Sequence, residues 1–295
     1  TIVKSIQLKL KQINNQVCGG KYKLTYESKD DASAALGKWD PAVETENANK
    51  AAADKSVVAY IGTFNSGAAK LSIPILSNVC MVMFSPANSY PGLTKAVTGV
   101  TQPGEPDSYY PKGYRNYSRV INTDDVQGGA SAEWALANGS KSAYVLDDGQ
   151  TYGQGIGRAW ALHFGQVGGK VVSANGSSES YDIKATDYSA LAQKIKASGA
   201  DTVFIGAITG NGTANLANSA FGMSKAKNAE SASLQYLERP KEELEAMQES
   251  LAIARGAHSD AAESMALINL ADVYLRRNEL KEVLELSQRS LELAN

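Results

Sequence analysis

Along residues 1–222, hydrophobic positions fall into short unbroken runs separated by stretches with helical spacing. Val57–Ile61 (VVAYI) ends at Gly62, and Met81–Phe84 (MVMF) is stopped by Ser85-Pro86. Later come Ala143–Leu146, Val171–Ala174 and Thr202–Ile205 (TVFI). Runs of four or five apolar residues bounded by turn formers predict buried strands. Tyr22–Glu27 (YKLTYE) alternates, as a half-buried strand does. Between these lie predicted helices at Thr1–Asn14, Val43–Asp54, Ala68–Leu76, Tyr152–Gln166 and Tyr188–Ala197. Strands alternating with helices imply a parallel sheet covered on both faces. Residues 99–114 interrupt the rhythm with Pro103, Pro106 and Pro111 among Gly99, Gly104 and Gly113, which predicts a loop. The fold class expected for residues 1–222 is therefore α/β, in two lobes joined near Arg115–Asn122.

The spacing changes beyond residue 222. Leu267, Leu270, Ala271 and Tyr274 share one helical face, and Val283, Leu284, Leu286, Leu291 and Leu293 form a second helix after Arg277-Asn278-Glu279. An earlier pair, Ala232–Leu237 and Leu244–Ala254, is broken at Pro240, and Tyr236 and Tyr274 occupy matching places. Glycine usage shifts at the same point: of 26 glycines, Gly256 alone lies in residues 223–295. Such a break marks a domain boundary. The expected organisation is a first lobe over 1–118, a second over 119–222, and an all-α tail over 223–295. The stretch Ala266–Ala294 resembles a tetratricopeptide repeat, with Ala271 and Tyr274 on its small and aromatic positions. That resemblance implies a surface for a protein partner or for self-association through residues 228–295.

Charge excludes one class of partner. Residues 1–222 carry 20 Lys+Arg against 18 Asp+Glu, and residues 223–295 carry 9 against 13. Neither part is a basic surface, so nucleic acid is not expected as a partner. No apolar run approaches the ~18 residues that span a bilayer, and no signal peptide is visible. Cys18 and Cys80 are too few for a disulfide framework, though one bridge between them is open. The two histidines, His163 and His258, have no Cys, His or carboxylate at metal-ligand spacing, so no metal or other cofactor is expected. Gly153-Gln154-Gly155-Ile156-Gly157 lacks the full dinucleotide-loop spacing, and no Walker lysine or nucleophile elbow occurs. The chain is not expected to be an enzyme.

The chemistry that remains lies in four loops that follow strands: Gly62–Gly67, Ser85–Leu93, Asp147–Gly155 and Gly206–Gly212. Each brings hydroxyls, amides and free N–H groups to a helix start, which suits a carboxylate or another small anion. The strings IGTFNSGAA, MFSPANSYPGLTK, VLDDGQTYGQGIG and GADTVFIGAITGNGTANL closely resemble the branched-chain amino-acid type of ABC-transporter solute-binding protein, a two-lobed type I periplasmic binding protein. The resemblance covers about residues 1–221.

It implies non-catalytic capture of a branched-chain or other amino acid in a cleft between lobes. Ser66 and the Ala87-Asn88-Ser89 loop would grip the carboxylate and amino group. Tyr152 would close over the solute, Thr209 would line the pocket, and Phe64 and Tyr152 would offer apolar surface. An ABC-transporter permease is the implied partner, and the periplasm or cell exterior the implied location; the helical repeats fit a cytoplasmic protein equally. Members of that family begin with a central strand ahead of the first helix. The expectation here is an incomplete type I fold with that strand missing, followed by the helical-repeat tail. The family's late acidic residue, which pairs with the solute's ammonium, has no counterpart, and Asp147 and Asp148 are not assigned that role. The alternative reading is an interaction or regulatory scaffold acting through the repeats, with the α/β part degenerate or artificially joined as a chimera.

Overall fold

A computed structural model describes residues 2–208, 210–213, 215–217, 244–245, 247–248, 251–252, 255, 263, 266–267, 270–271, 273–274 and 279–294. The chain divides into two units, Thr1–Trp134 with Arg158–His163, and Ala135–Gly157 with Phe164–Asn295.

The first unit is built on three parallel strands in the order β1 (Ala59–Ile61), β2 (Val82–Ser85), β3 (Tyr117–Arg119). Register runs Ile61 to Phe84 and Phe84 to Ser118. Two helices cover one face. Helix α1 (Pro41–Ala53) starts where Asp40 accepts a hydrogen bond from the Ala42 N–H at 2.8 Å and Pro41 pre-sets the first turn. It buries Glu44, Asn47, Ala48 and Ala51, a spacing of three and four that makes one stripe. Helix α2 (Ser66–Ser77) buries Ala68, Ala69, Ser72, Ile73 and Leu76. The small residues on both stripes let the two helices approach closely. Ile73, Leu76, Met83, Tyr90, Leu93, Tyr110 and Tyr117 form the core, each large aliphatic side chain contributing about 1.5–3 kcal/mol by burial.

Among the described residues, the opposite face of this sheet is exposed. Along β2, Met83 and Ser85 are buried while Val82 and Phe84 are 52% and 42% exposed. Helix α3 (Ile2–Gln12), which precedes this sheet in the chain, buries none of its residues.

The Pro/Gly-rich loop at 99–114 is ordered by one carboxylate. Glu105 accepts hydrogen bonds from the Tyr90 hydroxyl at 2.6 Å, the Gln102 N–H at 2.8 Å and the Tyr109 hydroxyl, and pairs with Lys70 at 3.1 Å. Burial works against its charge, but the Tyr109 and Tyr90 hydroxyls, the Gln102 N–H and the Lys70 charge together hold it below the usual range.

In the second unit β4 (Ser142–Asp147) is central. Strand β5 (Thr202–Gly206) pairs along its whole length on one edge; β6 (Lys170–Val171) and β7 (Glu179–Ser180) share the other. Between those two, Ser173 fills the gap in the ladder: its hydroxyl accepts from the Val145 N–H at 3.1 Å and donates to the Ser177 carbonyl at 2.6 Å. Helices α4 (Thr151–Gln166) and α5 (Ser189–Ala197) complete the βαβ rhythm, and α6 (Asp124–Ala137) leads into it. The core gathers Tyr144, Leu146, Tyr181, Tyr188, Ile195 and Leu216.

Several expectations shift. Of the strand expected at Tyr22–Glu27, two residues (Tyr22–Lys23) are paired, with Gln16–Val17 in an antiparallel hairpin. Its alternation finds no sheet to join. The strand expected at Val171–Ala174 shortens to Lys170–Val171 because Ala174–Gly176 turns as a 3-10 helix. Residues 115–122, expected as a lobe junction, hold a strand of the first sheet. Cys18 and Cys80 are exposed free thiols. In the tail, helix α7 (Leu280–Ala294) is described, and Met247, Leu251, Leu267, Leu270 and Val273 pack together with Leu286 and Leu293 against them. The expected helix Ala232–Leu237, with His258, lies outside the described residues.

Candidate ligand site

At the carboxyl ends of β1 and β2 the first unit brings five of the expected residues together. Ser66 opens α2 and is 2% exposed; Asn88 and Ser89 are 0% and 5% exposed; Ala87 is half-buried, and Phe64 stands 58% exposed. Ser85, the last residue of β2, locks the two loops. Its hydroxyl donates to the Thr63 carbonyl at 2.9 Å and accepts from the N–H groups of Ala87 and Asn88 at 3.1 and 2.9 Å.

Asn88 completes the lock. Its Nδ2 donates to the Thr63 and Phe64 carbonyls, both at 3.0 Å, and its Oδ1 accepts from the Tyr117 hydroxyl at 3.0 Å. Both ends of the amide are thus committed to neighbouring backbone and to β3. The Ser66 hydroxyl accepts from the Tyr90 N–H at 3.3 Å. Asn65 flanks α2 without a side-chain cap hydrogen bond, so the positive end of that helix is not quenched by its own cap residue.

Sequence reading missed the groups that hold this loop from below. Arg119, at the end of β3, donates Nη1 to the carbonyls of Asn88 and Tyr90 at 3.2 and 2.7 Å, and Nη2 to the Thr94 hydroxyl. The Asp124 N–H donates to the Ser89 carbonyl at 2.9 Å. Three consecutive carbonyls are therefore gripped from residues 119–124. Burial pushes the Asp124 carboxyl up to about 7, against the pull of Ser89 and Arg119. For Asp125, burial is outweighed by hydrogen bonds from Lys95 and Thr123 and by the Lys95 charge, which hold it low.

In the second unit Tyr152 sits half-buried in the first turn of α4, and Thr209 lies outside the described residues. The neighbouring acids are structural. Asp147 Oδ1 accepts from the Gly149 N–H at 2.9 Å and the Ser180 hydroxyl at 2.6 Å. Asp148 accepts from the N–H groups of Gln150 and Ile208 and from Asn211 Nδ2 at 3.0, 2.9 and 2.8 Å. It ties the loop after β4 to the loop after β5. The Gly153–Gly157 run has a packing explanation too. A Cβ on Gly153 would lie 2.3 Å from the Gly206 carbonyl, and one on Gly206 2.6 Å from the Gly153 carbonyl. Glycine here lets α4 touch β5 backbone to backbone.

Parallel strands with helical crossovers, with hydroxyls and a helix start gathered at strand carboxyl ends, define an α/β scaffold. A model of the periplasmic binding protein family matches residues 1–263, and the chain belongs to that family. It is 25% identical over 178 residues to an amino acid binding protein of Pseudomonas aeruginosa, covering 59% of this chain and 42% of that protein. The chain thus spans less than half the length of that relative. Among solved structures, a leucine binding protein of Thermotoga maritima has a TM-score of 0.61 at 20% identity, over 80% of this chain and 62% of that one. An ABC transporter substrate-binding protein of Desulfitobacterium hafniense, solved in complex with Leu, has a TM-score of 0.56 at 19% identity, over 99% and 84%. Both support the type I periplasmic-binding-protein fold.

Proposed function

We propose that the chain is the solute-holding part of an ABC-transporter substrate-binding protein, and that it takes a small amino-acid-like solute without turning it over. The observation that carries this reading is the locked loop pair of the first unit. Ser85, Asn88 and Arg119 absorb the loops' internal polar groups and present Ser66, Ala87, Ser89 and the start of α2 to one anionic group. A carboxylate fits such a set by charge and by hydrogen-bond count. Asn88 acts by shaping the loop. Phe64 offers apolar surface beside it, and Tyr152 and Thr209 remain proposed ligand groups on the family resemblance. The reading places the protein in the periplasm or outside the cell and gives it a transporter permease as partner. Replacing Ser89 by Ala should weaken amino-acid binding about tenfold, since about 1.4 kcal/mol suffices; an unchanged Kd by calorimetry would remove Ser89 from the site.

A second reading concerns the segment expected at 223–295. The apolar cluster of Met247, Leu251, Leu267, Leu270 and Val273 with Leu286 and Leu293 favours packed helical hairpins of the tetratricopeptide kind. In that reading the hairpins carry self-association or a protein partner. Deleting 223–295 should then alter the sedimentation behaviour and leave ligand preference intact; unaltered sedimentation would count against it.

A further inference from the structure

Asp124 is the first residue of α6 and is fully buried, at 0% exposure. Neither of its carboxylate oxygens completes a hydrogen bond with a described residue. Such a group is costly to bury, so its surroundings should give it a use. Ser89 faces it across the gripped loop, Arg119 approaches from β3, and Asp125 stands beside it on α6, itself paired with Lys95 at 2.7 Å. Arg119 is already engaged with the carbonyls of Asn88 and Tyr90. Of these groups, the Ser89 hydroxyl is the one left to exchange a proton contact with Asp124.

We propose that Asp124 is a positioning residue that sets the direction of the Ser89 hydroxyl and so makes solute binding depend on pH. The inference rests on the reading of Ser89 as a group that touches the solute. A neutral Asp124 carboxyl donates its O–H to Ser89 Oγ, which leaves the serine proton free to reach a solute carboxylate. An ionised Asp124 can only accept. It draws the serine proton to itself, turns a lone pair toward the solute, and adds a negative charge behind the loop. Affinity for a carboxylate solute therefore falls as Asp124 ionises. Burial places that change near neutral pH, with Arg119 favouring the ionised form and Asp125 opposing it. In Asp124→Asn the amide keeps a permanent donor toward Ser89, so strong binding persists at every pH.

Two measurements test this. The first follows the Asp124 carboxyl carbon by NMR in the solute-free chain, alone and as Ser89→Ala. Removing the hydroxyl should raise the titration midpoint; an unmoved midpoint would overturn the coupling whatever the chain binds. The second is calorimetric titration with leucine and other free amino acids from about pH 5.5 to about pH 8.5. The wild-type Kd should rise roughly tenfold across that range while Asp124→Asn stays flat. A saturable titration with a pH-independent Kd, or an Asp124→Asn profile that follows the wild type, overturns the proposal alone. Absence of binding at every pH overturns the proposed function and this inference together.

Discussion

Asn88 separates two roles that a family resemblance would merge. As a ligand group, its loss should weaken binding and leave the fold intact. As the lock between loops, its loss should weaken the fold before any solute is added. The structure gives the size of that effect. Asn88→Ala deletes four hydrogen bonds, to the Thr63 and Phe64 carbonyls, to the Thr63 hydroxyl and from the Tyr117 hydroxyl. The Thr63 carbonyl keeps the Ser85 hydroxyl, and the Phe64 carbonyl belongs to a residue that is 58% exposed and can turn to water. The Tyr117 hydroxyl has less relief: Tyr117 is 4% exposed in the core, and the Ser85 hydroxyl is its other polar neighbour. Losing its Asn88 partner costs about 1–3 kcal/mol, and each of the two carbonyl bonds contributes about 0.5–1.5 kcal/mol net. The sum is a loss of about 2–6 kcal/mol in unfolding free energy. Equilibrium urea unfolding by circular dichroism reads it, and hydrogen exchange of β1–β3 amides assigns it to the first unit. Phe64→Ala is the control: its side chain is 58% exposed and holds no scaffold bond, so its stability should stay within about 0.5 kcal/mol of wild type. If Asn88→Ala matched that control and lost only affinity, the scaffold argument would be wrong.

Glu44 offers a pH test of the first unit's interior. It is 1% exposed, accepts from the Tyr60 hydroxyl at 2.9 Å and from the Ser72 hydroxyl, and burial pushes its carboxyl from 4.5 up to about 7. A raised acid binds its proton more tightly when folded, so stability falls as pH rises from about 4.5 to above 7, by at most about 3 kcal/mol. Glu44→Gln should flatten that slope, and an equally steep slope in the variant would refute the assignment. Gly153→Ala or Gly206→Ala should lower the stability of the second unit by about 1–3 kcal/mol or more, because each new Cβ meets backbone, and that of Gly153 also meets the hydrogen-bonded Asp148 carboxylate. Near-wild-type unfolding of both would show that α4 and β5 can part without cost.

How much of this was legible beforehand depended on how local the cause was. The strands at 59–61, 82–85, 142–147 and 202–206 were readable because a parallel sheet makes its central strands continuous apolar runs. Helix α1 was expected over Val43–Asp54 and runs over Pro41–Ala53, its Asp40-Pro41 start lying just ahead of the expected bound. Helix α6 was not, because Gly128-Gly129 in its middle reads as a breaker; its buried stripe is Asp124, Gly128, Gly129 and Ala132, and Gly129 faces the His163 ring. The site divided in the same way. Ser66, Ala87, Asn88 and Ser89 were expected from their loops, and the fold brings them together at the carboxyl ends of β1 and β2. That Asn88 serves the scaffold could not be, since its partners are carbonyls 24 and 25 residues earlier and a tyrosine 29 residues later. The grip of Arg119 and Asp124 on the same loop is equally non-local.

The central claim is that this chain holds an amino-acid-like solute on the locked loops of its first unit. Calorimetric titration of the purified, folded chain with a panel of free amino acids tests it most directly. The account predicts saturable, single-site heat for at least one member, weakened about tenfold by Ser89→Ala. No saturable heat across the panel, from protein shown by circular dichroism to be folded, would contradict it.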